Sequence, residues 1–206
     1  MSAFGVSHGW YSWEYAGGKF PVAIRPMNAF FCPQYAAAST WYHDGQTLKI
    51  DWANYGKYQL EQRDGIWQGS AIGKPESWRK MCFERPFSEA ESLLLDSEWN
   101  FEWEKGAFNI EFRGDGFNHF VCPQYPSHSH WNFTAENNVV CIDWSQYGQY
   151  ELVLDAASRT MTGHKVGQPT NWRRASFVRK LGADEAKIGL SSHDHEAHTH
   201  GPDCNH

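Results

Sequence analysis

The chain has 206 residues, enough for one sizeable core or two small ones. Aromatic residues make up 16% of it, including 11 tryptophans. Lys and Arg total 18 against 24 Asp and Glu, for a net charge of −6, which argues against a general binder of nucleic-acid backbones.

Read in chain order, residues 1–87 form short segments with strand character. These are Phe20 to Arg25, Ala29 to Cys32, Thr40 to His43, Thr47 to Trp52, Lys57 to Gln62, Ile66 to Ile72 and Arg79 to Arg85. Gly, Asn and Asp break them, and their aromatic, Val and Thr content favours strands. Residues 88–98 read as a helical connector. Ser88 is placed to cap it, Glu91 stands at the capping-box position, and Leu93-Leu94-Leu95 follows.

Residues 99–181 then repeat the first segment. Cys32-Pro33-Gln34-Tyr35 returns as Cys122-Pro123-Gln124-Tyr125, and Ile50-Asp51-Trp52 returns as Ile142-Asp143-Trp144. Trp78-Arg79-Lys80 returns as Trp172-Arg173-Arg174. The offset grows from 90 through 92 to 94 residues, so the copies differ by small loop insertions. A repeat this long is a whole sheet or half-domain rather than a solenoid unit. Within it Phe108, Ile110 and Phe112 alternate with Asn109 and Glu111, the period of a half-buried strand.

These patterns predict an all-β protein of two tandem antiparallel meanders. Either each copy is a small barrel, or both contribute to one duplicated barrel that removes its sheet edges. The succession of a Trp strand, an Ile-Asp-Trp strand, a Tyr-x-Leu strand, a Gly-containing strand and an Arg-rich last strand resembles lipocalin-type (calycin) meanders. That resemblance implies a barrel with room for a small ligand.

Residues common to both copies are assigned first to the fold. Trp13 is matched with Trp103, Trp41 with Trp131, Trp52 with Trp144 and Trp78 with Trp172. Most are expected to pack the sheets, because aromatic rings bury large areas. Trp41, Trp52, Trp131 and Trp144 are also the candidate ligand-stacking residues. Asp51 and Asp143 read as acceptors for nearby turns, or as partners of Arg79 and Arg173, since no Asp-Thr-Gly loop supports a catalytic pair. The arginines are expected to stack on Trp faces or close the sheet ends. Cys32 and Cys122, in apolar strands, read as buried sulfur rather than reactive thiols.

Function is sought where the copies differ. The second copy has His119, His128, His130 and His164 where the first has Ala29, Ala38, Thr40 and Ser70. His128 and His130 are two apart, so on a strand they share a face. His119 and Cys122 flank the preceding strand. Imidazole and thiolate bind zinc and copper, so His119, Cys122, His128 and His130 form a candidate metal set. Residues 182–206 read as a linker and a disordered tail. His193, His195, His198, His200, Cys204 and His206 within it are donors for Zn, Ni or Cu.

Three functions follow. The first is a β-barrel protein binding a small apolar or aromatic ligand, with a metal-binding tail. The second is a metal-dependent enzyme whose site lies in the second copy. The third is a sugar- or protein-interaction module using duplicated aromatic platforms. Metal and a small ligand are the expected partners, with no nucleic acid and no membrane span. The first nine residues lack a basic start and an apolar core, and five cysteines then read as reduced thiols, so a cytoplasmic location is expected.

Overall fold

The computed structural model describes residues 5–187. The first copy forms β1 Gly9–Tyr15, β2 Gly18–Ile24, β3 Phe30–Phe31, β4 Thr40–His43, β5 Thr47–Asp51, β6 Lys57–Arg63, β7 Ile66–Ala71 and β8 Lys74–Arg85. A short helix, α1 Glu89–Leu94, follows. The second copy forms β9 Ser97–Trp103, β10 Gly106–Phe112, β11 Phe120–Val121, β12 His130–Thr134, β13 Val139–Asp143, β14 Gln149–Asp155, β15 Thr160–Lys165 and β16 Gln168–Lys180.

Each copy is its own eight-stranded antiparallel sheet, ordered β3-β2-β1-β8-β7-β6-β5-β4 and β11-β10-β9-β16-β15-β14-β13-β12. The first and last strands of each copy pair, which curls the meander into a nearly closed barrel. The remaining seam, between the third and fourth strands, is bridged by a single residue pair: Ala29 with Thr40 in barrel one and His119 with His130 in barrel two. The Phe30 amide donates to Ser39 O at 3.1 Å, and the Phe120 amide to Ser129 O at 2.9 Å. So the sequence divides into two barrels, not halves of one. Among the described residues no helix is long and apolar enough to cross a membrane.

Alternation builds the interiors. β14, Gln-Tyr-Glu-Leu-Val-Leu-Asp, buries every second residue: Tyr150, Leu152 and Leu154. Its counterpart β6 buries Tyr58 and Leu60. Gly69 and Gly163 occupy matching places where a Cβ would lie 1.9 Å from the carbonyl oxygen of Gln59 or Glu151, so only glycine fits there.

The shared aromatics pack as rings on rings. Trp52 meets Trp13, Phe30 and Tyr58 with centroids 4.9–6.3 Å away. Trp144 meets Phe101, Phe120 and Tyr150 over the same range. The Trp52 indole donates to Tyr35 O at 3.0 Å, and the Trp144 indole to Tyr125 O at 3.4 Å.

One matched pair shifts. The first strands share a burial pattern when Gly9 is set against Ser97, which puts Phe101 and not Trp103 in the place of Trp13. Trp103 corresponds to Tyr15, and a cation confirms it. Arg79 lies over Tyr15 and Tyr58, while Arg173 lies over Trp103 and Tyr150. Asp51 pairs with Lys57 at 2.7 Å rather than with Arg79, because the arginine is already committed to those two rings. β1 itself, absent from the strands expected in the first copy, completes that copy's eight.

The connector forms as its sequence implies. Ser88 caps α1 with Glu91 in a capping box. Ala90, Leu94 and Leu95 join the core of barrel two. Glu91 also reaches back to barrel one, accepting from the Trp10 indole at 2.8 Å and from both terminal nitrogens of Arg85. Burial opposes its charge, but these donors and the Ser88 amide outweigh that and hold its pKa at about 2. Lys180, at the end of β16, donates to the Leu93, Ser92 and Leu95 carbonyls at the C-terminal end of α1.

Candidate metal centre

Three of the four second-copy histidines meet at the seam of barrel two. One ring nitrogen from each of His119, His128 and His130 lies within 4.8 Å of the others. His128 Nε2 and His130 Nε2 are 3.0 Å apart. Two imidazole nitrogens on one zinc ion, each about 2.0–2.1 Å from it, lie roughly 3.0–3.5 Å from each other at ordinary coordination angles.

Strand parity explains the set. Phe120 and Cys122 face the core of barrel two, and so does Trp131 across the seam. His119 and His130, one residue out of step with these, share the opposite side of the bridge they form. Cys122 is therefore not in the group. It belongs to the core cluster, and burial raises its thiol pKa. Cys32 sits equivalently, with its pKa pushed up to about 11 by burial. His164, on β15, bonds the Lys165 carbonyl and lies apart from the cluster.

Each imidazole has an oriented partner. His119 Nδ1 lies 2.5 Å from Asp115 Oδ2, and the His119 amide donates to Asp115 Oδ1 at 3.0 Å. Burial opposes the Asp115 charge, but its bonds to His119 and the nearby Arg25 charge prevail and keep its pKa below the usual carboxylate value. His130 Nδ1 lies 3.0 Å from Phe117 O. A carbonyl only accepts, so Nδ1 carries a proton, and in the neutral imidazole Nε2 carries the lone pair. The His128 Nε2–H then donates to that lone pair. In metal sites a second ring nitrogen bonded to a carboxylate or carbonyl sets the tautomer and aims the ligating nitrogen. His119 and His130 have that arrangement.

Sequence comparison overlooked Asp115. The signal was present in loop length. Between Arg25 and Asn28 the first copy has two residues, Pro26 and Met27. Between Arg113 and Asn118 the second has four, Gly114 to Phe117. Asn28 and Asn118 share a left-handed backbone, with φ of 63° and 55°, which aligns the loop ends. The two extra residues make room for Asp115 one turn from His119.

Of the candidate ligand-stacking residues, Trp52, Trp131 and Trp144 are buried and Trp41 is half-buried. The Trp41 indole donates to Arg25 O and the Trp131 indole to Arg113 O, both at 2.9 Å. His193, His195, His198, His200, Cys204 and His206 lie outside the described residues. Compared with known proteins, the chain matches no family model, and no curated protein matches it in sequence.

Proposed function

We propose that this is a metal-binding β-barrel protein whose second barrel holds one divalent transition-metal ion through His119, His128 and His130. The single observation that carries this reading is the group of three converging imidazole nitrogens, backed by Asp115. Nδ1 of His119 and of His130 are bonded to acceptors, which leaves their Nε2 atoms available to a metal and supports this reading. His128 joins by exchanging its Nε2–H for the other neutral tautomer. Neutral imidazoles suit Zn, Cu and Ni. A three-histidine set is the donor set of zinc ions that keep a water, so metal-assisted hydrolysis is the activity to assay first. The tail donors from His193 to His206 suit the same borderline metals, which supports a role in collecting the ion.

The test needs a chain whose tail is silent: the full-length protein carrying His193→Asn, His195→Asn, His198→Asn, His200→Asn, Cys204→Ser and His206→Asn. Zinc titration against a chromophoric chelator should find one tight ion per chain, lost on His128→Ala with His130→Ala. If the tail-silent chain binds no zinc, nickel or copper, the metal centre is wrong.

A second reading, binding of a small organic ligand, is supported by aromatic-rich barrels and by a cleft of about 400 Å³ between them. Met27, Phe87, Leu95 and Leu181 line it, with Asp96 and Lys180 as polar groups. Chemical-shift changes at these residues on screening apolar carboxylates and amines would support that reading, and a silent screen would remove it.

A further inference from the structure

The loop that carries Asp115 and His119 is held by barrel one. Arg25, at the end of β2, is buried, with its guanidinium 3.7 Å from the Phe31 ring centroid. Its Nη1 donates to Asp115 O at 3.1 Å and to Asn118 Oδ1 at 2.6 Å. The Ala37 amide, also in barrel one, donates to Gly116 O at 3.2 Å. The fit at Gly116 is close enough that a Cβ there would lie 1.8 Å from Ala37 O. Phe117 packs its ring on the core of barrel one.

The same residues face the metal group with their other atoms. Asp115 gives its main-chain oxygen to Arg25 and its carboxylate to His119. Phe117 gives its ring to barrel one and its carbonyl to His130. Asn118 gives its side chain to Arg25 and its carbonyl to the Trp131 amide at 2.9 Å, which holds the seam beside both ligands. A shift of this loop off barrel one therefore moves Asp115, His119 and the partner of His130 together.

We propose that Arg25 of barrel one is a positioning residue for the metal centre of barrel two. This rests on the metal-binding reading above. The hydrogen bonds from Arg25 go to Asp115 O and Asn118 Oδ1, in the loop that carries the site. Arg25 acts by fixing the Asp115 backbone and the Asn118 side chain, both of which accept from its Nη1. Burial lowers its pKa to about 9, and it stays charged at neutral pH.

The experiment is cobalt(II) binding by the full-length, tail-silent chain, read by competition and by the visible d–d bands, with near-UV circular dichroism to check the fold. Arg25→Met should weaken cobalt binding at least tenfold and shift the bands. Gly116→Ala, which pushes the loop off Ala37, should do the same. Leu60→Val, on β6 and away from the seam, should lower stability and leave affinity and bands unchanged. Folded Arg25→Met and Gly116→Ala chains that bind within twofold of the parent, with its spectrum, would overturn the proposal. If Arg25→Met does not fold, Gly116→Ala decides. A parent chain that binds no cobalt overturns the metal reading itself, and the positioning role with it.

Discussion

In barrel one the seam is closed by Ala29 against Thr40, and in barrel two the same bridge joins His119 to His130. The surrounding machinery is alike. Both seams have a tryptophan donating to an arginine carbonyl, and both have a phenylalanine amide crossing to a serine carbonyl. Barrel one shows that this closure needs no histidine. The imidazoles of barrel two, and the two added loop residues that bring Asp115 to them, are therefore surplus to folding. Surplus polar groups gathered in one place cost stability unless something uses them.

The largest test of that equivalence concerns the cores. Trp13→Ala and Phe101→Ala remove matched rings and should each cost about 3–5 kcal/mol in urea unfolding. If Trp103→Ala, on the half-buried counterpart of Tyr15, proves as costly as Phe101→Ala, the structural alignment of the copies is wrong.

Next comes the ion. At a thousandfold excess over its Kd, zinc should stabilise the tail-silent chain by about 4 kcal/mol. The triple change His119→Ala, His128→Ala and His130→Thr, which rebuilds the seam of barrel one, should erase that gain and leave the metal-free protein at least as stable. The reciprocal change Ala29→His, Ala38→His and Thr40→His should give no comparable site, because barrel one lacks the longer loop and its carboxylate. Tight zinc binding by that transplant would show that the imidazoles alone suffice.

A third comparison lies beyond the last strands. Arg85 pairs with Glu91 in barrel one, and Arg179 with Glu185 in barrel two, each six residues on. Glu91 is buried among its donors, whereas Glu185 is half-buried, with 45% of its side chain exposed. A carboxylate whose folded pKa lies below its unfolded value makes the unfolded chain bind more protons as the pH falls. Stability from Glu91 is thus complete above about pH 4.5 and drains away as the pH drops towards 2. Glu91→Gln should flatten that acid limb by about 2–3 kcal/mol in pH-dependent urea melts. Arg179 and the Gly182 amide hold the pKa of Glu185 at about 2 as well, but solvent screens it more, so Glu185→Gln should flatten the limb less, and an equal effect of both would remove the distinction.

The smallest effect is the sharpest for the site. Asp115→Asn keeps the loop's size but removes the charge behind His119, and it should weaken zinc binding about 10- to 100-fold. An unchanged Kd would reduce Asp115 to a loop anchor.

Much of this was legible in the chain. The repeat announced itself in Cys-Pro-Gln-Tyr and Ile-Asp-Trp, which recur because both barrels need the same strand stop and the same core ring. The helix was readable from Ser88 and Glu91, since capping is decided within four residues. The shared face of His128 and His130 followed from the period of a strand. The place of Trp103 was not readable, because the first strands are rich in aromatics and a shift of two keeps every residue on its face. The exclusion of Cys122 was readable, since its odd spacing from His119 puts the two on opposite faces of a strand.

Sequence alone determined the all-β class, the duplication, the connector and the positions where the copies part, because periodicity, capping and turn chemistry act over a few residues. Only the tertiary structure decided that there are two barrels rather than one, since that depends on β1 finding β8 and β9 finding β16 across about seventy residues. It also decided that Asp115 stands behind His119 and that Arg25 reaches the same loop 90 residues away. Those contacts depend on how two closed sheets dock, and no local pattern along the chain encodes that distance.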